Sequence, residues 1–198
     1  NDVSQQTFTF KVQDSGGTDN SGVNLSPNAT VTVTITPVND VPVANAQSVT
    51  AIEDVETTIT LTGSDGDADA TQSLTYILTA LPGTGSLSEA SGGSAIVSGV
   101  LPLTLSDAEL FFTTASNDVS QQTFTFKVQD SGGTANSGVN LSPNATVTVT
   151  ITAVNDAPVA NAQGVTVLED IETSITLTGD DGDADARSEE HTSELQSQ

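Results

Sequence analysis

Apolar residues alternate with polar ones along most of this chain. Phe124, Phe126 and Val128 are separated by single polar residues, and so are Val147, Val149 and Ile151. Ile59 with Leu61, and Leu74 with Tyr76 and Leu78, keep the same period of two. In an extended chain that period puts every second side chain on one face of a sheet. Thr fills many of the intervening positions, which suits a half-exposed pleated surface. No stretch carries the 3.6-residue period of a helix, and Gly and Pro punctuate the chain often. The pattern predicts an all-β protein with strands near residues 49–51, 57–61, 74–79, 123–129 and 146–152, the last two being the strongest. Residues 83–95, rich in Gly and Ser, read as a turn, a short edge strand or a loop, and 96–105 supply apolar positions of uncertain register. Ser106 followed three residues later by Glu109 has the form of a capping box, which predicts one helical turn over 106–110 before Leu110 and Phe112 enter the core. The connection 130–145 is long for a hairpin. Seven or so short strands spaced in this way point to a Greek-key β-sandwich.

The pattern is written more than once. Residues 1–70 and 117–186 are the same segment at an offset of 116 residues, differing at 9 of 70 positions. A period this long is a whole domain, not a solenoid unit of about 20–50 residues. The phrase Val38-Asn39-Asp40-Val41-Pro42-Val43 recurs as Val154-Asn155-Asp156-Ala157-Pro158-Val159. A Pro directly after a polar pair that follows a long strand reads as a junction between modules. Residues 1–39 then form the closing strands of one module and 40–42 a linker. Residues 43–156 form a complete module, 157–158 a second linker, and 159–186 the opening of a third. After Ala186 the repeat calls for Thr-Gln-Ser-Leu-Thr-Tyr, as at 71–76, but the chain runs Arg187-Ser188-Glu189-Glu190-His191-Thr192-Ser193-Glu194-Leu195-Gln196-Ser197. That string resembles a translated sequencing-adapter oligonucleotide, so 187–198 are set aside as a non-native tail. The expectation is that the repeat array continues beyond this segment.

Charge narrows the function classes. The net charge is −23, from 26 acidic and three basic residues. Nucleic acid is excluded as a partner by that sign, and anionic membrane surfaces are disfavoured. No stretch is long and apolar enough to span a membrane, so no direct insertion is expected of this segment. So many carboxylates cannot be neutralised by Lys11, Lys127 and Arg187, which makes divalent cations the natural counter-charge. Disorder, the usual fate of an acidic chain, is opposed by the strict alternation above. There is no Cys, hence no disulfide staple. Asn28-Ala-Thr30 and Asn144-Ala-Thr146 match the glycosylation pattern, which chance alone supplies in a Thr-rich chain.

Asp65-Gly66-Asp67-Ala68-Asp69 sets three carboxylates at alternate positions, and Asp181, Asp183 and Asp185 repeat it beside an extra Asp180. In a curved loop this spacing can wrap oxygens around a hard cation. It is no EF-hand: the sixth position is Ala70, the twelfth is Tyr76, and no helices flank it. Calcium suits such a site better than magnesium, which demands tighter octahedral geometry.

The Val-Asn-Asp-Ala-Pro-Val junction, the Glu53-Asp54 that follows, the acidic loop and the Thr-rich last strand together resemble bacterial cadherin-like, Ig-like tandem repeats of large surface or secreted adhesins. The resemblance covers residues 1–186. It implies Ca²⁺ between successive domains, stiffening a rod. Asn39 and Asp40 would be linker ligands, with Asp67 and Asp69 supplied by the domain that follows. Glu53, Asp107 and Glu109 would reach the far junction, where Asn155, Asp156, Asp183 and Asp185 complete the set. The match departs from the animal pattern in lacking a full acidic linker, in having Ala108 for the usual Arg, and in a Glu53 that follows no Pro.

Three functional classes follow. A spacer, whose partners are neighbouring repeats of the same chain, fits near-identical modules and strong self-repulsion. An adhesive module for a cell-surface protein or glycan would need an exposed aromatic platform, yet most of the six Phe and the single Tyr occupy core-like positions. An enzyme is not expected: outside the tail there is no His, and no Ser or Thr lies beside an evident base. The expected location is secreted or on a bacterial cell surface.

Overall fold

The alternation builds two sheets that share one core. A computed structural model describes residues 4–68, 71–180 and 182. β1 (Gln6–Phe10) and β2 (Ala29–Val33) come first. They are followed by β3 (Val43–Ala44), β4 (Gln47–Ile52), β5 (Thr57–Thr60), β6 (Gly63–Ser64), β7 (Leu74–Ala80), β8 (Ser86–Ser88), β9 (Leu103–Thr104), β10 (Glu109–Thr113), β11 (Gln122–Asp130) and β12 (Ala145–Thr152). β13 (Val159–Ala160) and β14 (Gly179–Asp180) close the described chain. One sheet has the order β4-β12-β11-β7-β9 and the other β5-β10-β8. β4 runs parallel to β12, from Gln47 beside Val147 to Ile52 beside Thr152; the remaining neighbours are antiparallel.

The inner faces supply the core. Phe124, Phe126, Val128, Val147, Val149 and Ile151 from the larger sheet meet Ile59, Leu87, Leu110 and Phe112 from the smaller one. Each such side chain contributes about 1.5–3 kcal/mol by leaving water. The intervening Thr residues keep one face of β12 polar, as period two requires.

Residues 106–110 are not a helical turn. Ser106 to Ala108 form a bend, and Glu109 already begins β10. The capping geometry loses to the sheet because Leu110 and Phe112, both fully buried, must point the same way. The Ala108 carbonyl accepts from the Leu61 amide at 2.8 Å, which commits the segment to sheet pairing. Of the three options for 83–95, the short strand is realised as β8, on the edge of the smaller sheet. The long 130–145 connection is organised by its own hydrogen bonds. Ser142 donates its amide to the Val128 carbonyl and accepts the Val128 amide on its hydroxyl, each at 2.9 Å.

Two ends result. At one, β3 pairs with β6, and the acidic loop follows directly. At the other, β4 is followed directly by Glu53, whose amide donates to the Thr152 carbonyl at 2.9 Å. β1 and β2 repeat the register of β11 and β12, with Gln6 opposite Val33 as Gln122 is opposite Val149. Among the described residues they form a two-stranded sheet of their own.

Candidate metal junction

The near end gathers an amide-and-carboxylate cluster from four stretches of chain. Asp130, 5% exposed, ends β11. Its carboxylate accepts the Gly132 amide at 3.0 Å, a local turn that an Asp-Ser-Gly sequence favours. The Asn39 side-chain amide donates to both Asp130 oxygens, at 3.0 and 3.2 Å, and to the Val139 carbonyl at 2.7 Å. The Asn39 carbonyl in turn accepts from the Val139 amide at 3.1 Å. Gln72, just before β7, donates its side-chain amide to Asn39 Oδ1 at 2.5 Å and to Asp67 Oδ2 at 2.8 Å. Its backbone amide donates to Asp65 Oδ2 at 2.8 Å. Asn39 is therefore bonded into the sandwich that follows it.

The donor chemistry of this cluster fits a hard cation. Asp67 Oδ1 and Gln72 Oε1 are buried without a hydrogen-bond partner. A buried oxygen left unsatisfied costs about 1–3 kcal/mol, and oxygen-only ligation is what Ca²⁺ requires. In the described arrangement side-chain amides stand between the carboxylates, and no three acidic or His side chains converge as a ready ligand group among the described residues. Asp40 is half-buried beside the cluster. Asp69 lies outside the described residues.

The far end has a smaller version. Glu53 is 3% exposed. Its Oε2 accepts the Val154 amide at 3.1 Å, while its Oε1 is buried without a partner. This carries the carboxylate to the residue next to Asn155 and Asp156. Asn155 donates its side-chain amide to the Asp156 carbonyl at 2.8 Å. Asp181, Asp183 and Asp185 lie outside the described residues. Asp107 and Glu109 are not brought to this end. Glu109 is paired with Thr60, whereas it is Thr114, five residues further along, that receives the Asp54 amide. Five extended residues span about 17 Å. Both side chains are exposed.

Sequence reasoning missed Gln72 and Asp130. Asp130 had a signal, an Asp two residues before a Gly at a strand end. Gln72 had none, because an uncharged residue between an acidic loop and a strand looks like any surface position.

Gly132 is the tightest point of the near cluster. A Cβ built there would overlap Asn39 Oδ1 and Gln72 Oε1. Gly132→Ala is expected to lower stability by about 1–3 kcal/mol through overpacking and displacement of Asn39. Gly99→Ala, with open space around its Cβ, should stay within about 0.5 kcal/mol of the parent. Urea midpoints of the two variants make the comparison.

Two other carboxylates are held by neutral donors. Glu56 accepts the Ser91 hydroxyl at 2.6 Å and the Gly92 amide at 2.8 Å, which pull its carboxyl below the usual range against a small opposing effect of desolvation. Asp118 is lowered by the Ser120 hydroxyl, the Thr84 hydroxyl and the Ser120 amide. A depressed folded value means the Glu56 clamp is in place above the ordinary carboxylate range. It is lost only as pH falls through the lower folded value. Exchange of the Gly92 amide should therefore accelerate, relative to its intrinsic rate, only in that acidic window. In Glu56→Gln the acid-specific change should vanish; its persistence there would assign it to another group.

The family described as Bacterial Ig domain matches residues 39–152, beginning at Asn39 and ending with β12. Among solved structures, the crystal structure of mouse protocadherin-24 EC1-3 is similar at 18% identity and a TM-score of 0.54. The likeness covers 90% of this chain and 56% of that one, so this chain spans little more than half its length. At such identity it is a likeness of fold. No curated protein matches the chain.

Proposed function

This chain belongs to the bacterial Ig domain family, and from that premise we propose that it is a calcium-stabilised spacer segment of a bacterial extracellular or cell-surface adhesin. The fold itself is a non-catalytic, Ig-like and cadherin-like structural sandwich. The observation that carries the calcium reading is the near cluster: Asp67 and Gln72 present buried, unsatisfied oxygens beside the buried carboxylate of Asp130. Asn39, Asp65, Asp67 and Asp130 would hold the ion there, with Asp40 and Asp69 as further ligands. Glu53, Asn155 and Asp156 would serve the far junction with Asp181, Asp183 and Asp185. A bound Ca²⁺ supplies positive charge and several coordination bonds, which draw linker and sandwich oxygens together.

The spacer role is supported by three features. The module buries Phe112, Phe124 and Phe126 in its core, so its largest aromatic surfaces are not available as a binding platform. The charge of −23 keeps neighbouring rods apart. Sequence repetition at 116 residues suits a part whose contribution is length. Among the described residues no helix is long and apolar enough to cross a membrane. Calcium titration by calorimetry on the full chain, with small-angle scattering before and after chelation, tests the proposal. Saturable heat and a stiffer scattering profile are expected. Absence of both would remove the calcium role, and glycan or protein capture by the same chain would favour the adhesive-module alternative.

A further inference from the structure

The far end of the sandwich carries a contact that involves no carboxylate–cation chemistry. Asn117 Nδ2 donates to the main-chain carbonyl of Gly182 at 2.9 Å, in a half-buried position. Asn117 precedes β11, whereas Gly182 lies beyond the second linker, in the acidic loop after β14. The bond thus joins segments 65 residues apart, on opposite sides of Asn155 and Asp156.

Both partners are prepared for it. Asn117 has φ of 54°, a left-handed conformation that Asn tolerates better than most residues. Its loop is braced on the next residue. The Asp118 carboxylate accepts from the Thr84 hydroxyl and from both the amide and the hydroxyl of Ser120. Gln122 joins the same brace, accepting the Thr84 amide at 2.9 Å and donating to the Ser120 hydroxyl at 2.7 Å. Two loops at one end of the sandwich are therefore tied together, and Asn117 projects from the tie. Gly182 has φ of +87°, and a Cβ there would meet the Ala157 carbonyl at 2.7 Å and Asp156 Cβ at 3.2 Å. Only Gly at 182 can come this close to Asp156 and the backbone of Ala157 while its carbonyl accepts from Asn117. Gly66 makes the same approach to the Val41 carbonyl at the first linker, with φ of +74°.

We propose that Asn117 is a cation-independent latch that sets the direction of the following segment by holding the Gly182 carbonyl. Its partner is the main-chain carbonyl of Gly182, recognised through main-chain oxygen and glycine geometry. Because the bond uses a neutral amide and a carbonyl, it acts with or without calcium.

The chain has no Cys, so spin labels can be placed cleanly at the exposed Thr150 and Thr176 as Thr150→Cys and Thr176→Cys. In excess chelator, the unaltered Asn117 should give a narrow inter-label distance distribution. Asn117→Gly, which keeps the left-handed backbone but loses the amide, should at least double its width. Asn117→Asp, similar in size but presenting only acceptors to the Gly182 carbonyl, should do the same. Unchanged melting of the sandwich in both variants shows that the broadening is not unfolding. Equal widths with and without the Asn117 amide would overturn the latch. So would a distribution that is broad in chelator and narrows only with calcium. Failure of the calcium reading leaves this test intact, since every comparison is made in chelator.

Discussion

Addition of calcium to the chelated chain is expected to raise its melting temperature by roughly 10 °C. A ligand that binds only the folded state stabilises it by about 2.7 kcal/mol when its free concentration is about 100 times Kd. For a sandwich of this size, each kcal/mol moves the midpoint by about 4 °C. The physical source is the near cluster, where Asp67 Oδ1 and Gln72 Oε1 are buried and unsatisfied. An unfolded chain exposes the same oxygens to water and gathers none of them. Asp67→Asn and Asp130→Asn should each remove most of the shift at that junction while the sandwich still folds, because both amides can keep hydrogen-bonding locally. The same midpoint in calcium and in chelator, read by calorimetry on the parent chain, would sink the prediction. A shift that survives both substitutions would move the ion to other residues.

Phe126→Ala should destabilise the sandwich by about 3–5 kcal/mol, the usual loss for a buried aromatic side chain. Phe126 is fully buried in the centre of β11, with its ring centroid 6.3 Å from that of Tyr76. Against a total stability of about 5–15 kcal/mol, this is a large share. The control lies in the chain itself. Phe10 occupies the same place in an identical stretch of sequence, yet it is 44% exposed where Phe126 is 0% exposed. Phe10→Ala should change the main unfolding transition by less than about 0.5 kcal/mol. Similar losses from the two substitutions would mean that the β1–β2 pair shares the core of the sandwich.

These two phenylalanines also show where reading a sequence stops. Period-two alternation placed Phe124, Phe126 and Val128 on one face, and the same pattern at Phe8 and Phe10 predicts the same strand and the same pairing register. Both strands are present. What differs is the neighbour: β11 faces Leu110 and Phe112 across the core, whereas β1 and β2 are a two-stranded sheet among the described residues. Burial depends on what packs opposite: the repeat reading gives residues 1–39 only the closing strands of a module, whereas the partners of β11 come from segments far away in the chain.

The candidate site divides in the same way. The chain by itself determined an all-β build, the positions of its strong strands, the acidic loop and the linker Asn-Asp pair, because these depend on residue type and spacing along one segment. Asn39 stood out in the sequence as part of a repeated Val-Asn-Asp-x-Pro-Val phrase. That it bonds to Asp130, 91 residues away, with Gln72 joining it to Asp67, was decided by tertiary structure. So was the direction of Asp107 and Glu109. The resemblance to cadherin-like repeats assigned them to the far junction, but pairing with β5 holds Glu109 opposite Thr60. The capping signature at Ser106 yielded for the same reason, since one helical turn gains less than two buried side chains aligned on a sheet. Local chemistry set what each segment could do; long-range packing chose which of those options could be satisfied together.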